Sequence, residues 1–200
     1  MFERWAADVP DGFVFSIKGS RFCTNRKLLG EGAEAIARFC GQGFTRLGPK
    51  LGPILWQLAA TKRFEPEDIA AFFALLPREQ DGLPLRHVIE APHESFRDAR
   101  FAALARDAGV AICVVDEGGP APPDDGATAP FAYIRLKNSR EKEPCGYPPA
   151  ELDHWAERAR RWTADPVTPR ETFLFVIGGA KLRAPAAALA LLARLGPSPR

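Results

Sequence analysis

The chain has 200 residues, of which 46% are apolar and 26% are charged, a length and composition that favour one domain with a buried core. Its 27 Lys and Arg nearly balance its 25 Asp and Glu, and the net charge of +2 gives no overall electrostatic case for nucleic-acid binding, which normally needs a strongly basic face. Any basic patch must be local. No stretch approaches the roughly 18 consecutive apolar residues of a membrane-spanning helix.

Short apolar runs alternate along the chain with longer segments of helical period. The first half contains, in order, a run at 13–18, a helix at 30–40, a run at 53–58, a helix at 65–77 and a run at 85–90. The runs are mostly apolar without interruption, which is typical of parallel strands covered on both faces. We therefore predict that each run is a buried strand.

The second half continues the same alternation. It contains a helix at 95–109 that ends at Gly109, a residue type common at left-handed helix caps. The remaining elements are runs at 110–116, 131–137 and 172–179 and helices at 148–162 and 185–195. Pro and Gly concentrate at 118–126, which we predict to be a loop rather than a linker because strands and helices resume beyond it.

Strands and helices in strict alternation require right-handed crossovers, which leave either an open doubly wound sheet or a barrel. No GxGxxG motif follows any of the runs, so the sequence gives no support for dinucleotide binding of the Rossmann type. The alternation predicts an α/β fold and does not by itself decide between the two architectures.

Five of the runs place a polar residue at the carboxyl end of one face. These residues are Lys18, Gln57, Glu90, Asp116 and Arg135. Polar residues are ordinary where a strand meets water, but burying five such groups costs several kcal/mol each unless they are paired. Ligands bind at this end of the strands in barrels and in open α/β sheets. We therefore predict that the five side chains form one layer around a shared cavity.

The residue types in this layer suit acid–base chemistry on a small anionic molecule. Glu90 and Asp116 are the candidate catalytic residues, because a carboxyl group between burial and a neighbouring cation can move a proton. The candidates for holding a phosphate or carboxylate are the cations and polar groups at the strand ends and in the loop after the first strand. They are Lys18, Arg21, Thr24, Gln57 and Arg135.

Nucleophilic and metal chemistry have less support. The chain has no GxSxG motif, and Cys113 lies in the middle of a run, as a core residue would. Only three histidines are present, with no HxH or HxxE spacing, so we predict neither a metal site nor a cofactor. The four cysteines are dispersed, form no CxxC pair and accompany no signal peptide, which favours a cytoplasmic protein.

Several longer motifs resemble the YecE-like family, a domain of unknown function with a TIM-barrel fold. They are FERWAADVPDGFVFSIKGSRFCTNRK, LGPILWQLAATKRFEPEDIAAFFALLP, FAYIRLKNS and YPPAELDHWAERARRW, followed by AKLRAPAAALAL. The resemblance spans nearly the whole chain and implies a single TIM-barrel-type domain over 1–200. It also implies that His93 joins the ligand-binding residues, and it implies no settled activity.

The chain departs from the family pattern in two ways. The family begins with two further strand–helix units, so the resemblance implies an incomplete barrel of six strands. Its exposed edges at 13–18 and 172–179 would need a partner subunit or another segment to cover them. In addition, residues at several family site positions differ. They are Asn25, Pro92, Lys137, Asn138, Ile177 and Gly178.

These changes keep a non-catalytic alternative open. A barrel that has lost part of an ancestral site would bind anions, or act as a scaffold, without turning a substrate over. Nucleic-acid binding is a third interpretation, although basic residues in such loops usually belong to the ordinary surface charge of a protein. It draws on basic residues in the loops after the strands, namely Arg21, Arg26, Lys27, Arg63, Lys137, Arg140 and Lys142.

Overall fold

A computed structural model of the chain describes residues 1–116, 128–167 and 169–196, so the loop predicted at 118–126 lies outside the described residues. The strands are β1 (Phe15–Lys18), β2 (Leu51–Gln57), β3 (Glu79–Gln80), β4 (Leu83–Pro84), β5 (His87–Glu90), β6 (Ala111–Ile112), β7 (Val114–Val115), β8 (Phe131–Leu136) and β9 (Glu171–Val176). The α-helices are α1 (Phe2–Ala7), α2 (Arg21–Thr24), α3 (Ala33–Cys40), α4 (Pro66–Ala74), α5 (Ala99–Ala108), α6 (Pro149–Thr163) and α7 (Ala184–Leu195).

The principal strands are all parallel and lie in chain order. One sheet has the order β1-β2-β5-β6 and another has the order β7-β8-β9. Cys113 alone separates β6 from β7, so the two halves of one predicted strand pair with different neighbours. The predicted parallel α/β architecture is confirmed. The short antiparallel hairpin β3–β4 was not predicted, and it turns at Asp81 and Gly82, which both have positive φ.

Helices cover the outer side of both sheets. Trp56 of β2 is 0% exposed and packs among residues of α3 and α4, including Phe39 and Phe72. Its indole N–H donates to Nδ1 of His87 at 3.1 Å, and the other ring nitrogen of His87 lies 2.7 Å from the Pro77 carbonyl oxygen. Because Nδ1 accepts, that second nitrogen carries the proton and donates. Burial lowers the pKa of His87, and this histidine belongs to the core.

A second outer cluster packs α6 and α7 against the other sheet. It includes Ile134 and Leu136 of β8 and Trp155 and Trp162 of α6. Helix ends follow the sequence signals, since Gly109 closes α5 in the left-handed conformation and a proline stands in the first turn of α4, α6 and α7. No helix in the described ranges is long and apolar enough to cross a membrane.

The inner faces of the two sheets meet, because the strands curve round a shared interior. Leu55 of β2, Val88 of β5, Tyr133 of β8 and Cys113, which lies between β6 and β7, pack in one cluster. The hydroxyl of Tyr133 on β8 lies 2.7 Å from that of Ser16 on β1, although β2, β5, β6 and β7 come between β1 and β8 in the order of the two sheets. This curvature brings the carboxyl ends of the strands towards one another.

The hydrogen bond between Ser16 and Tyr133 gives a test of this curvature. The Ser16 hydroxyl donates to the Pro53 carbonyl oxygen at 3.0 Å, so Tyr133 is the donor to Ser16. Ser16→Ala leaves a buried phenol without an acceptor and should lower the free energy of unfolding by about 1–3 kcal/mol, whereas Tyr133→Phe should cost about 0.5–1.5 kcal/mol.

The double variant has no Tyr133 hydroxyl that could be left without a partner. Its loss of stability should therefore be smaller than the sum of the losses in the two single variants. Urea unfolding of all four proteins measures this difference. Strictly additive losses would contradict a hydrogen bond across the curved sheet.

Candidate functional site

Glu90, the last residue of β5, lies at the centre of a polar cluster on the inner face. Its side chain is 2% exposed. Gln57 stands opposite it in the register of β2 and β5 and donates its amide N–H to Oε1 at 3.0 Å. Nη1 of Arg135 donates to Oε2, and Nζ of Lys137 donates to Oε1. We call these four residues the Glu90 cluster.

Two cations therefore hold one buried carboxylate. Burial alone raises the pKa of Glu90, but the hydrogen bonds and positive charges of Lys137 and Arg135 outweigh burial and leave the pKa below its ordinary value. Glu90 is ionised at neutral pH for this reason. The cluster as a whole carries one positive charge in excess.

The cations of the cluster face an open pocket of about 820 Å³. Its wall contains Gln57, Arg135 and Lys137, together with residues of the loops that follow β8 and β9. Glu90 is not part of the wall, whereas the side chains of Arg135 and Lys137 are 12% and 21% exposed. A molecule that enters the pocket therefore meets the two cations first, with the carboxylate behind them.

Asp116 does not belong to this layer, and the prediction that its side chain lies on the inner face is wrong. Cys113 occupies the inner face instead, and Ile112 and Val114 point outward into the two helical layers. The run at 110–116 is apolar at nearly every position, so alternation alone could not assign its faces. One residue of shift in that assignment reverses the direction of every side chain.

The contacts of Asp116 give it a structural task. Its two carboxylate oxygens accept the backbone N–H groups of Lys137 and Asn138 at 2.7 and 3.0 Å. The hydroxyl of Tyr147 donates to the same carboxylate at 2.6 Å, and burial together with this bond raises the pKa of Tyr147. Asp116 thus fixes the backbone from which Lys137 reaches Glu90.

Four other predicted ligand-binding residues lie away from the cluster. Lys18 and Arg21 are exposed, and the guanidinium of Arg21 lies over the ring of Phe22. Thr24 is buried in α2, and the ring of His93 accepts the N–H of Ser95 at 3.1 Å as a helix cap. Within the described residues none of the four bonds to the Glu90 cluster, and their ligand-binding role stays a prediction.

Lys137 belongs to the site, although it was not predicted as a member. Tyr133, Arg135 and Lys137 alternate along β8 and beyond it, so extending the inner face by two residues would have found this lysine. In the sequence, Lys137 stood out as a departure from the family pattern and as one of the basic residues in the loops after the strands. The structure brings it into direct contact with Glu90.

Two glycines in the loop after β9 let that loop pack against the residues around Lys137. A Cβ atom on Gly178 would lie 2.7 Å from the carbonyl oxygen of Lys137, and one on Gly179 would lie 2.1 Å from that of Ser139. Gly179 also has a φ of +64°, a region that favours glycine. The Ser139 hydroxyl donates to the Gly178 carbonyl at 2.5 Å, so both loops have a defined position at the pocket.

Two other pockets of the described chain lack the Glu90 cluster. One, of about 500 Å³, follows β1 and β2 and is lined by Thr24 and by the basic residues Arg26, Lys27, Lys62 and Arg63. A pocket of about 670 Å³ lies between α4 and α5, at the amino ends of the strands and lined by none of the Glu90 cluster. In the ranges that the structure covers, no three His, Cys, Asp or Glu side chains come together as ligands for a metal ion.

Comparisons with known proteins agree on one family. The family model described as "Protein of unknown function DUF72" matches residues 1–200. Among solved structures, a DUF72 family protein from Enterococcus faecalis V583 aligns with a TM-score of 0.74 and 17% identity, over 97% of this chain and 82% of that one. Another, from Thermotoga maritima MSB8, aligns with a TM-score of 0.70 and 19% identity, over 96% of this chain and 76% of that one. No curated protein matches the sequence.

The lowered pKa of Glu90 predicts a dependence of stability on acid. A carboxyl group whose pKa is lower in the folded than in the unfolded protein adds stability above its unfolded pKa of about 4.3, and this stability is lost as pH falls through the folded pKa. Glu90→Gln should lower the free energy of unfolding at neutral pH by about 1.5–3 kcal/mol.

In that variant, the acid-dependent loss due to Glu90 should disappear. Chemical unfolding between about pH 3 and pH 7 measures both effects, with the exposed Glu141→Gln as control. Equal acid sensitivity in the wild type and in Glu90→Gln would show that the carboxylate is not held by its two cations.

The role of Asp116 predicts a different result for Asp116→Asn. One of the two backbone N–H groups would then face an amide N–H₂ instead of an oxygen, so unfolding should become easier by about 1.5–3 kcal/mol. Asp153 is an exposed aspartate paired with Arg194, and Asp153→Asn should cost at most about 1 kcal/mol. Equal losses in urea unfolding would remove the structural task assigned to Asp116.

Proposed function

The chain belongs to the DUF72 family, for which YecE-like is another name, and from that premise we propose that the Glu90 cluster binds a small anionic substrate and moves a proton on it. The observation that carries this proposal is the pair of cations, Arg135 and Lys137, at the wall of the pocket with a single carboxylate behind them. We assign the binding of a phosphate or carboxylate group to the cations and the proton transfer to Glu90.

The donors around the pocket support recognition of an anion. A guanidinium presents its N–H groups in a planar fork that matches phosphate and carboxylate oxygens, and an ammonium adds a compact charge. Arg135 and Lys137 each use one of their donors on Glu90 and keep others for a ligand. Asn138 and Ser139 lie in the same wall. An uncharged ligand would leave the excess positive charge without a partner.

Glu90 is better suited than Asp116 to proton transfer. The Asp116 carboxylate accepts three hydrogen bonds that hold a loop. None of the three comes from the side chain of Arg135 or Lys137. The pKa of Glu90, in contrast, results from burial acting against two adjacent cations, so it depends on what those cations bind. Groups balanced in this way are frequent among catalytic acids and bases.

A non-catalytic anion-binding protein is the second candidate, and one observation favours it. Both oxygens of Glu90 already accept hydrogen bonds from the cations and from Gln57, as a permanent counter-ion would. Turnover separates the two candidates. In an enzyme, Glu90→Gln should bind the substrate and lose activity, and in a binding protein no product should form at all.

We also propose a barrel architecture, a cover for the two sheet edges and a cellular location. We propose that the curved sheet is a partial (β/α) barrel, which the contact between Ser16 and Tyr133 and the two solved DUF72 structures support. We further propose that a second copy of the chain, or another segment, covers the edges at β1 and β9. The four cysteines are free thiols, which supports a cytoplasmic location.

Lys137→Met tests the anion site directly. The change removes one charged donor from the pocket and should weaken binding of inorganic phosphate or a sugar phosphate by about 10- to 100-fold, the equivalent of one charge-assisted hydrogen bond. Lys142→Met is the matched control, because Lys142 is exposed and its substitution removes the same charge from outside the pocket wall.

Calorimetric titration, together with the shift of the melting temperature caused by the anion, measures the difference. Equal weakening of anion binding by both substitutions would show that the anion responds to general surface charge and not to the pocket. Wild-type protein that shows no affinity for phosphate, sulfate or sugar phosphates would refute the proposed function.

A further inference from the structure

The arrangement of charges around Glu90 makes its proton affinity depend on the pocket. In the structure, one carboxylate faces two cations. The pocket opens on the cations and not on the carboxylate. An anion in the pocket therefore changes the proton affinity of Glu90 through Arg135 and Lys137, the two side chains that hold the carboxylate.

We infer that binding of a doubly charged anion to Arg135 and Lys137 loosens their hold on Glu90, which then takes up one proton. This inference rests on the proposed function, since it requires that the pocket bind anions. It gives the substrate class as a dianion, such as a phosphate monoester. It also makes proton transfer depend on the ligand, because the Glu90 carboxylate accepts a proton only when the anion is in place.

A count of charges supports the step. Sulfate carries two negative charges and Glu90 one, whereas the two cations supply only two positive charges, so the occupied site has one negative charge in excess. A second negative group beside a carboxylate raises the carboxyl pKa, as does the loss of hydrogen bonds from a cation. One proton on Glu90 restores neutrality, and that proton comes from the solvent or from the substrate.

The other groups around Glu90 do not compensate for this charge. The Cys113 thiol lies 3.9 Å from Oε2, and burial, followed by the charge of Glu90, raises its pKa. Burial also raises the pKa of Tyr133, whose hydroxyl bonds to Ser16 on β1. Both side chains are neutral at neutral pH, and Gln57 carries no charge.

Lys18, at the end of β1, is the remaining strand-end cation on this side of the sheet. It is exposed and makes no hydrogen bond or ion pair within the described residues, so it does not hold the Glu90 carboxylate. Arg140 also lines the pocket, but its guanidinium is paired with Glu151 at 2.7 Å, so this pair adds no net charge. Among the described residues, Arg135 and Lys137 are therefore the cations that oppose protonation of Glu90, and both are groups that an anion would engage.

Because Glu90 is buried, loss of its cations leads to protonation of the carboxylate and not to its hydration. A carboxylate at the surface would exchange its cations for water and remain ionised, but Glu90 is 2% exposed. When the cations turn towards the ligand, the carboxylate keeps only the amide N–H of Gln57 and the weak thiol donor of Cys113 among the described residues. Desolvation then favours the neutral carboxyl group. For a substrate with an acidic hydrogen close to Glu90, the same step is the abstraction of that hydrogen as a proton.

Calorimetric titration with sulfate tests the inference, because sulfate carries no proton of its own near neutral pH. Repeating the titration at about pH 6 in buffers of different ionisation enthalpy gives the number of protons taken up. We expect uptake of up to about one proton per sulfate bound, and an affinity that falls by up to about tenfold for each unit of increasing pH. Glu90→Gln should bind sulfate without this uptake, and the exposed Glu94→Gln should behave as the wild type.

The outcomes separate the inference from the proposed function. Sulfate binding without proton uptake by the wild type would overturn the inference and leave the anion site intact. No binding of sulfate or phosphate would refute both. If Glu90→Gln does not fold, infrared difference spectra of the wild type decide the question, because added sulfate should produce the carbonyl band of a protonated carboxyl group. Absence of that band at saturating sulfate would contradict the inference.

Discussion

The ion pairs of Glu90 with Arg135 and Lys137 are the interaction on which the site depends. A carboxylate that is 2% exposed is costly to bury unless cations and hydrogen bonds replace its water. Here β2 supplies Gln57, and β8 and the residue after it supply the two cations. The same contacts set the charge of the pocket and the ionisation of Glu90, so binding and proton transfer have a common origin.

The fold contributes by bringing these strand ends together. Parallel strands connected by helices place all their carboxyl ends at one edge, and the curvature of the sheet brings β5 to within ion-pair distance of β8. Asp116 then holds the backbone of Lys137 and Asn138. Gly178 and Gly179 let the next loop pack on that backbone without a clash. The position of Lys137 thus depends on residues that do not face the pocket.

Much of this arrangement was accessible from the sequence. The strands, their parallel order, the cap at Gly109 and the outward packing of Trp56 follow from local patterns, because turn residues and continuous apolar runs are read over a few positions. Gln57, Glu90 and Arg135 were found together, because each is a polar residue near the carboxyl end of a mostly apolar run. Counting back from that residue in steps of two assigns the face of the strand.

The remaining residues depend on contacts that no local pattern encodes. The run at 110–116 is apolar on both faces, so the direction of Asp116 was assigned wrongly. The break at Cys113, where a strand changes partner between two sheets, has no signal in the sequence. Lys18 ends its strand as predicted, yet it is exposed at an edge of the sheet and makes no hydrogen bond or ion pair with the described residues. Position at a strand end was therefore necessary, but not sufficient, for membership of the site.

The most direct test of this account is an NMR titration of the Glu90 side-chain carboxyl carbon in the wild type and in Lys137→Met. The account predicts a pKa below that of an ordinary glutamate in the wild type and a higher pKa in the variant, because one of two cations is gone while burial remains. An ordinary glutamate pKa in both proteins would show that Arg135 and Lys137 do not hold the Glu90 carboxylate, and would contradict the account.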